Sequence, residues 1–227
     1  MLSAAKIKQS LGNYAAQLIQ PDTIIGIGTG STAEYFIRAL ARRVQEGLKC
    51  SCVPTSRTTK ALAEELGISL TTLNEVSKID MDIDGADEID PQCCLIKGGG
   101  GALLQEKMVA AASYQLIIIA DSSKLVNQLG KFPLPVEVIP YGWKQVQRNI
   151  IAANNISVQL RLKDASPFVT DHGHYILDCS FTSIKNPEQL SRELNNIPGV
   201  VENGLFIQMA HSVIIGFEDG RIETIGG

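Results

Sequence analysis

Asp82–Lys107 reads DIDGADEIDPQCCLIKGGGGALLQEK and gathers most of the residues in this chain that could do chemistry. It holds six carboxylates (Asp82, Asp84, Asp87, Glu88, Asp90 and Glu106), two lysines (Lys97 and Lys107) and four successive glycines, Gly98 to Gly101. Each glycine loses more conformational freedom on folding than any other residue, so such a run belongs where backbone must turn tightly or approach something closely. Carboxylates, a lysine and bare backbone together suit proton transfer beside an anionic group. Abstracting a proton next to a carbonyl needs a carboxylate or histidine within hydrogen-bond reach and a group that stabilises the developing oxyanion. Glu106, in the opening turns of the helical pattern LLQEKMVAAAS, can be that base, and the helix dipole favours its ionised form. Lys97 and the glycine amides can stabilise the oxyanion. The competing reading is an exposed helix carboxylate paired with Lys107 or a neighbour.

Three further stretches offer partners. In DGAD, Asp84 and Asp87 flank Gly85 and Ala86, so a tight turn after a strand can present both to one cavity. An Asx-turn binding its own backbone is the simpler alternative. Magnesium or calcium also suits clustered carboxylates, but this is no EF-hand loop and Lys97 competes for the same charge. GIGTGST (26–32) lies between a strand pattern and a helix pattern, where free amides and the helix dipole favour an anion. It is neither a G-x-x-x-x-G-K-[ST] loop nor a full G-x-G-x-x-G, and Ser31 or Thr32 could simply cap the helix. Thr29, Ser31 and Thr32 nonetheless put three hydroxyls beside those amides. DSSK (121–124) ends the most strand-like run with Lys124. His172, His174 and His211 have no serine or cysteine partner at a suggestive spacing and are read as structural or surface residues.

The elements that must position these residues alternate. Ser3 to Ile19 has apolar residues at helical spacing, TIIGIG is a short apolar strand, and AEYFIRALARRVQEG is helical. CSCVPTS (50–56) reads as a strand, SRTTKALAEELGI as a helix, Ile68–Leu73 as a short strand and QLIIIAD (115–121) as a strand covered on both faces. This alternation predicts a doubly wound, mostly parallel α/β sheet whose ligands sit beyond the carboxyl ends of its strands. From about Gly130 the order becomes strand (PVEVI), helix (WKQVQRNIIAANN), strand (ISVQLRL), then a strand, a turn at His172-Gly173 and a strand in FVTDHGHYILDCSF, helix (PEQLSRELNNIPG) and strand, in outline strand, helix, strand, strand, helix, strand. That order fits a small ferredoxin-like α+β domain at 131–206, with 1–130 and 207–227 forming the larger α/β domain. SVIIGFEDGRIETIG closes the chain as a hairpin turning at Asp219-Gly220.

Composition narrows the function classes. With 227 residues, a net charge of -4 and 5% aromatic residues, the chain offers neither a basic surface for nucleic acid nor a stacking platform for single strands. No run approaches the length of a membrane span, the amino terminus lacks a long apolar signal segment, and a cytoplasmic location is expected. The five cysteines (Cys50, Cys52, Cys93, Cys94, Cys179) have no zinc or redox spacing and are read as reduced thiols in or near strands.

Laid side by side, GIGTGST (26–32), DIDGADEID (82–90), LIKGGGGALLQEK (95–107), IADSSK (119–124) and GKFPLPVEVIP (130–140) make the chain resemble the A-type ribose-5-phosphate isomerases. IPGVVENGLF (197–206) is similar to that family's segment near the carboxyl end. The resemblance implies interconversion of ribose 5-phosphate and ribulose 5-phosphate through a cis-enediolate, in the non-oxidative branch of the pentose phosphate pathway, with no metal and no cofactor. It makes Glu106 the base that moves the proton between C2 and C1. Asp84, Asp87 and Lys97 would hold the sugar oxygens, help open the ring and stabilise charge. The binding surface would be Thr29, Gly30, Ser31 and Thr32, then Asp84, Gly85, Ala86 and Asp87, then Lys97, Gly98, Gly99 and Gly100, with Lys124 and, more loosely because Lys6 is close, Lys8. It also implies a small-molecule sugar phosphate as partner and a homodimer or dimer of dimers. SRTTKALAEELGI follows the family's helix pattern only in outline, so only Ser56 and Thr59 are carried over from it. The pair Cys93–Cys94 and Gly101, where alanine is common, depart from the pattern at positions without an assigned chemical role. A sugar-phosphate sensor shares this architecture but has no need of Glu106. Sugar-phosphate deaminases and lactonases of similar fold lack the KGGGGALLQEK arrangement.

Overall fold

The computed structural model describes residues 1–226. In chain order the elements are α1 (Ala4–Leu18), β1 (Thr23–Ile27), α2 (Ser31–Gln45), β2 (Cys50–Pro54), α3 (Arg57–Glu65), β3 (Met81–Asp84), β4 (Glu88–Ile89), β5 (Leu95–Ile96), α4 (Leu103–Ala111) and β6 (Leu116–Asp121). They continue with β7 (Leu134–Val138), α5 (Trp143–Asn154), β8 (Ser157–Leu160), β9 (Leu162–Lys163), β10 (Ser166–Pro167), β11 (Tyr175–Ser180), α6 (Pro187–Asn195), β12 (Val200–Asn203), β13 (Leu205–Phe206), β14 (Ala210–Gly216) and β15 (Ile222–Ile225). Two compact units result: Met1–Ala86 with Gln105–Leu125 and Gln208–Gly227, and Asp87–Leu104 with Val126–Ile207.

The first unit is built on a six-stranded sheet in the order β15-β14-β6-β3-β1-β2. All neighbours run parallel except the terminal hairpin β14–β15, so the sheet is mostly parallel with one antiparallel edge. Strand side chains alternate between faces, and the alternation explains the helices on both sides. Ile25, Ile27, Ile83, Ile117, Ile119 and Ile214 pack into one cluster with Ile7 and Leu11 of α1, Phe36 and Leu40 of α2 and Ala63 of α3. Val53 faces the opposite way and meets Val109 of α4 together with Ile79. β6 is buried from Leu116 to Ala120, which is why its sequence is continuously apolar rather than alternating. Helices α1 and α2 come unusually close at Gly12, where a Cβ would lie 2.5 Å from the Tyr35 carbonyl carbon and 2.6 Å from the Phe36 nitrogen. Only glycine allows that backbone approach. Its consequence appears one turn earlier on each helix, at Lys8 and Ser31.

The second unit contains a four-stranded antiparallel sheet in the order β12-β7-β11-β8. With α5 after β7 and α6 after β11, this is the ferredoxin-like βαββαβ arrangement that the order of patterns predicts. Leu134, Val136, Val138, Val158, Leu177 and Cys179 of the sheet bury against Val146 and Ile150 of α5 and Leu190 and Leu194 of α6. α6 opens with Asn186 accepting from the Gln189 amide and with Pro187 in its first turn, a start that the PEQLSREL pattern signals.

The expected division kept residues 87–104 and 126–130 with the larger domain, whereas packing places them in the second unit. β5 pairs with both β4 and β13 to make a three-stranded sheet. Buried Glu88 accepts from the amides of Gly130 (2.7 Å) and Phe132 (2.6 Å), tying 87–90 to the segment before β7. Two expected strands shrink for local reasons. Ile68–Leu73 contributes one bridge, Leu70 to Cys52. Phe168–Asp171 forms no strand because Thr170 turns inward, donating to buried Glu137 at 2.9 Å and accepting the His174 amide at 3.1 Å.

Candidate active site

In the first unit, the sequence-predicted residues collect at the carboxyl ends of β1, β2 and β3, where an open parallel sheet presents its loops. Asp84 closes β3 and is fully buried. One of its carboxylate oxygens accepts the amides of Thr29 (3.1 Å) and Gly85 (2.7 Å). Thr29 belongs to the turn after β1, so the DGAD and GIGTGST motifs are joined by a charge-assisted hydrogen bond rather than by a self-contained Asx-turn. Gly28 makes that contact possible, because a Cβ there would fall on the Asp84 carboxylate and within 2.6 Å of its Cα.

The Thr29 hydroxyl turns into the protein. It lies 2.7 Å from the Thr55 hydroxyl, 2.8 Å from Ser56 Oγ and 3.0 Å from Thr59 Oγ1. Thr59 donates to the Gly28 carbonyl (2.9 Å), Thr55 to the Ile27 carbonyl (3.1 Å), and Ser56 caps α3 by accepting the Thr59 amide at 3.0 Å. The four hydroxyls form one network that fixes the β1 turn against the end of β2. Three of the four, Thr55, Ser56 and Thr59, are buried. Thr29 therefore shapes the turn, leaving Ser31 and Thr32 as the hydroxyls at the mouth of α2.

Neither Ser31 nor Thr32 is the helix cap. Gly30 holds that position at φ 123° and contributes no side chain, so the first amides of α2 lack both intrahelical and side-chain acceptors. Lys8 Nζ donates to Ser31 Oγ at 2.8 Å, as the Gly12 crossing dictates. Lys8, Ser31, Tyr35 and Arg38 line a cavity of about 330 Å³ together with Ala5 and Glu34. The Arg38 guanidinium is already paired with Glu34, at 2.8 and 3.0 Å, so Lys8 is the cation that faces the start of α2. Lys6, the other lysine on this helix, is exposed and gives its amide to Ser3.

Glu106 lies in the first turn of α4 and is only 2% exposed, which removes the reading as an ordinary surface carboxylate. It shares a helix face with Leu103 and Val109, three residues either side and both buried. Its neighbour Gln105 donates to the Pro54 carbonyl (2.8 Å), pinning the turn that carries Glu106 to the end of β2. Lys124 follows β6 in a short 3-10 turn, half-buried, with Asp121 accepting the Ser123 amide at its start.

In the second unit, Asp87 and the glycine run are held together. The Asp87 carboxylate accepts the Gly99 amide at 2.8 Å, and its own amide donates to Ile96 (2.8 Å), the residue before Lys97. Lys97 is 2% exposed; its amide donates to Gly204 (2.9 Å) and its ammonium sits 5.3 Å from the centre of the Phe206 ring. A cation over an aromatic face is attracted by the ring quadrupole, so Phe206 helps hold a lysine that has left water. Gly98 requires glycine twice over, with φ at 103° and a Cβ that would lie 2.8 Å from that of Leu103. Gly101, at φ 83° against the Phe168 ring, is likewise confined to glycine in this chain. Among the described residues no group of three or more His, Cys, Asp or Glu side chains is arranged to hold a metal ion, and no helix is long and apolar enough to cross a membrane.

The family model described as ribose 5-phosphate isomerase A (phosphoriboisomerase A) matches residues 51–220. The chain belongs to the ribose 5-phosphate isomerase A family. A curated member from Bacillus mycoides (strain KBAB4) is 52% identical over 215 residues, covering 94% of this chain and 97% of its own. A solved D-ribose-5-phosphate isomerase in complex with phospho-erythronic acid has a TM-score of 0.96 at 38% identity, over 100% of both chains. The ribose 5-phosphate isomerase A of Methanocaldococcus jannaschii has a TM-score of 0.93 at 40% identity, over 99% of this chain and 100% of its own. Among the residues that the resemblance singled out, the structure gathers Thr29, Asp84, Ser56 and Thr59 in one network, Lys8 and Ser31 at one helix start, and Asp87 and Gly99 in one loop. Sequence reasoning passed over Thr55, Gly12 and Phe206. Thr55 was within reach, since it directly precedes Ser56 at the end of a strand read as such; Gly12 and Phe206 act through distant parts of the chain and leave no local signal.

Proposed function

We propose that this protein interconverts D-ribose 5-phosphate and D-ribulose 5-phosphate, the aldose–ketose isomerisation of the non-oxidative pentose phosphate pathway. The observation that carries the reading is membership of the family over nearly the whole chain; the burial of Glu106, the carboxylate we take as the base, supports it. In the open-chain aldose Glu106 takes the proton from C2, the electron pair of that C–H bond forms the C1–C2 double bond, and the C1 carbonyl becomes one oxygen of a cis-enediolate. Passing the C2 hydroxyl proton to the C1 oxygen and returning the abstracted proton to C1, as the C2 oxygen becomes a carbonyl, gives the ketose. The substrate is oxidised at one carbon and reduced at the next, so the sum requires no external redox partner.

Lys97, with the amides of Gly98 to Gly100, stabilises the enediolate charge, a role that a desolvated cation and fixed dipoles fill far better than water does. Asp84 and Asp87, separated in the chain only by Gly85 and Ala86, hold sugar hydroxyls and assist ring opening. Ser31, Thr32, Lys8 and the bare start of α2 take the phosphate, with Gly30 and Thr29 shaping that turn and Lys124 completing the oxygen contacts. The protein works as a cytoplasmic homodimer, a state that the family resemblance supports and that sedimentation equilibrium checks. The deciding experiment is a coupled assay of purified protein on ribose 5-phosphate beside glucosamine 6-phosphate and arabinose 5-phosphate, before and after exhaustive chelation. Turnover of ribose 5-phosphate alone, undiminished by chelation, is expected. Preference for glucosamine 6-phosphate with release of ammonia would replace the reading by a deaminase, and activity lost on chelation and restored by a divalent ion would restore a metal to the site.

A further inference from the structure

Arg161 has no part in the chemistry outlined so far, yet its guanidinium reaches the glycine loop. Two of its nitrogens engage Asp178, Nε at 3.0 Å from one carboxylate oxygen and a terminal nitrogen at 2.5 Å from the other. The remaining nitrogen donates to the carbonyls of Gly98 (2.9 Å) and Gly99 (3.1 Å). The pair is largely withdrawn from solvent, at 15% and 26% side-chain exposure, so screening does not dissolve it as it does a surface pair.

The Gly98 carbonyl and the Gly99 amide belong to one peptide plane, and in a trans peptide they point in opposite directions. The carbonyl is held by Arg161, and the amide by Asp87 at 2.8 Å. The 98–99 peptide is thus gripped from both sides. The next carbonyl, of Gly99, is drawn to the same nitrogen, which turns the Gly100 amide away from Arg161. The Gly99 amide, bonded to Asp87, and the Gly100 amide consequently face the side opposite the guanidinium, which leaves the Gly100 amide for an anionic oxygen. Glycine flanked by glycine has no side chain to enforce such an orientation; the Gly98 carbonyl also accepts the Gly101 amide at 3.0 Å, and Arg161 adds a charged donor to that turn.

We propose that Arg161, oriented by Asp178, is a positioning residue for the isomerisation: it fixes the 98–99 and 99–100 peptides so that the Gly100 amide faces a sugar oxygen that carries charge in the enediolate, while the Asp87 carboxylate, held by the Gly99 amide, faces the sugar hydroxyls. The inference rests on the isomerase reading. Lysine is no substitute, because a point charge cannot grip both Asp178 oxygens and two carbonyls in one plane.

The test compares Arg161→Met, Arg161→Lys and Arg161→Ala with the wild type in the ribose 5-phosphate assay, with turnover expressed per folded molecule. A hydrogen bond to a charged group is worth about 1.5–3 kcal/mol, so kcat should fall by roughly ten- to a hundredfold in Arg161→Met and Arg161→Lys, with KM little changed. Affinity for phospho-erythronic acid, whose carboxylate resembles the paired oxygens of an enediolate, should fall by a similar factor. Millimolar guanidinium should restore part of the turnover of Arg161→Ala without raising its melting temperature. The inference is overturned if turnover per folded molecule stays at the wild-type level, or if guanidinium restores nothing. If the wild type itself leaves ribose 5-phosphate unconverted, the isomerase reading falls and takes this inference with it; a fast wild type beside an equally fast Arg161→Met removes only the inference.

Discussion

Gly28→Ala tests how the first unit places Asp84. Gly28 has ordinary backbone angles, so alanine meets no conformational penalty there, and the whole effect comes from space. The added methyl would fall on the Asp84 carboxylate and within 2.6 Å of the Asp84 Cα. A carboxylate can swing away, but backbone at the end of β3 cannot move without separating it from β1, to which Gly28 is bonded through the Ile83 carbonyl at 2.9 Å. Overpacking of this kind costs about 1–3 kcal/mol. Displacing the carboxylate also removes a charge-assisted bond from the Thr29 amide, worth about 1.5–3 kcal/mol. Together these give roughly 2.5–6 kcal/mol, and at about 2–4 °C per kcal/mol for a chain of this size the melting temperature should fall by about 5–24 °C. Gly85→Ala is the control for stability, since the nearest atom to its Cβ would be the Ile119 carbonyl oxygen at 3.9 Å; its melting temperature should stay within about 2 °C of wild type. Differential scanning calorimetry reads the stability, and the coupled assay should show ribose 5-phosphate turnover in Gly28→Ala reduced by about a hundredfold, the worth of roughly 2.7 kcal/mol at the transition state. Gly28→Ala with wild-type melting temperature and turnover would show that the strand end has slack and that the Gly28–Asp84 contact positions nothing.

The hydroxyl network predicts that Thr29→Val, which keeps the shape and deletes the shared oxygen, destabilises by about 1–3 kcal/mol while Thr29→Ser does so by less than half as much, as urea titration will read. Cysteine reactivity should split by environment as pH rises. The neighbouring Cys52 thiol holds the Cys50 pKa below its ordinary value, aided by Arg43 against the effect of burial. Cys52 is pushed well above its ordinary value by that same hydrogen bond and by burial, and Cys179 by burial and then Asp178. A lowered pKa means thiolate at lower pH, so iodoacetamide should label Cys50 first in the native protein. Cys93, raised by burial and Asp90, should follow later, and Cys52 and Cys179 should react only on unfolding. Mass spectrometry finding Cys179 labelled as fast as Cys50 in the native state would refute this ordering.

How much of this was legible in the sequence follows from how local each signal is. The alternation of strand and helix patterns carries the mostly parallel sheet, because burial on both faces leaves β6 continuously apolar and the helix stripes run at their own period. The ferredoxin-like order of the second unit was legible for the same reason. Glu106 could be singled out as a candidate base because a costly glycine run leads directly into its helix. Arg161, by contrast, looks like any residue near a strand end, and its partner Asp178 lies in another strand. The placement of 87–104 was also hidden, because a break in packing that passes between Ala86 and Asp87, inside one motif, leaves no trace in composition. Thr29 was legible as part of a candidate binding turn, but the direction of its hydroxyl depends on Thr55, Ser56 and Thr59, which another strand and helix supply.

The central claim is that Glu106 moves the proton. Glu106→Gln keeps the size and hydrogen-bonding capacity of the side chain but removes its basicity. Proton NMR of ribose 5-phosphate in deuterium oxide follows both loss of the C2 proton and formation of ribulose 5-phosphate. Both rates should fall by about two to four decades, the usual contribution of a general base, while affinity for phospho-erythronic acid measured by calorimetry stays close to wild type. If Glu106→Gln exchanges the C2 proton and forms ketose at near the wild-type rate, another group is the base and the account is wrong at its centre.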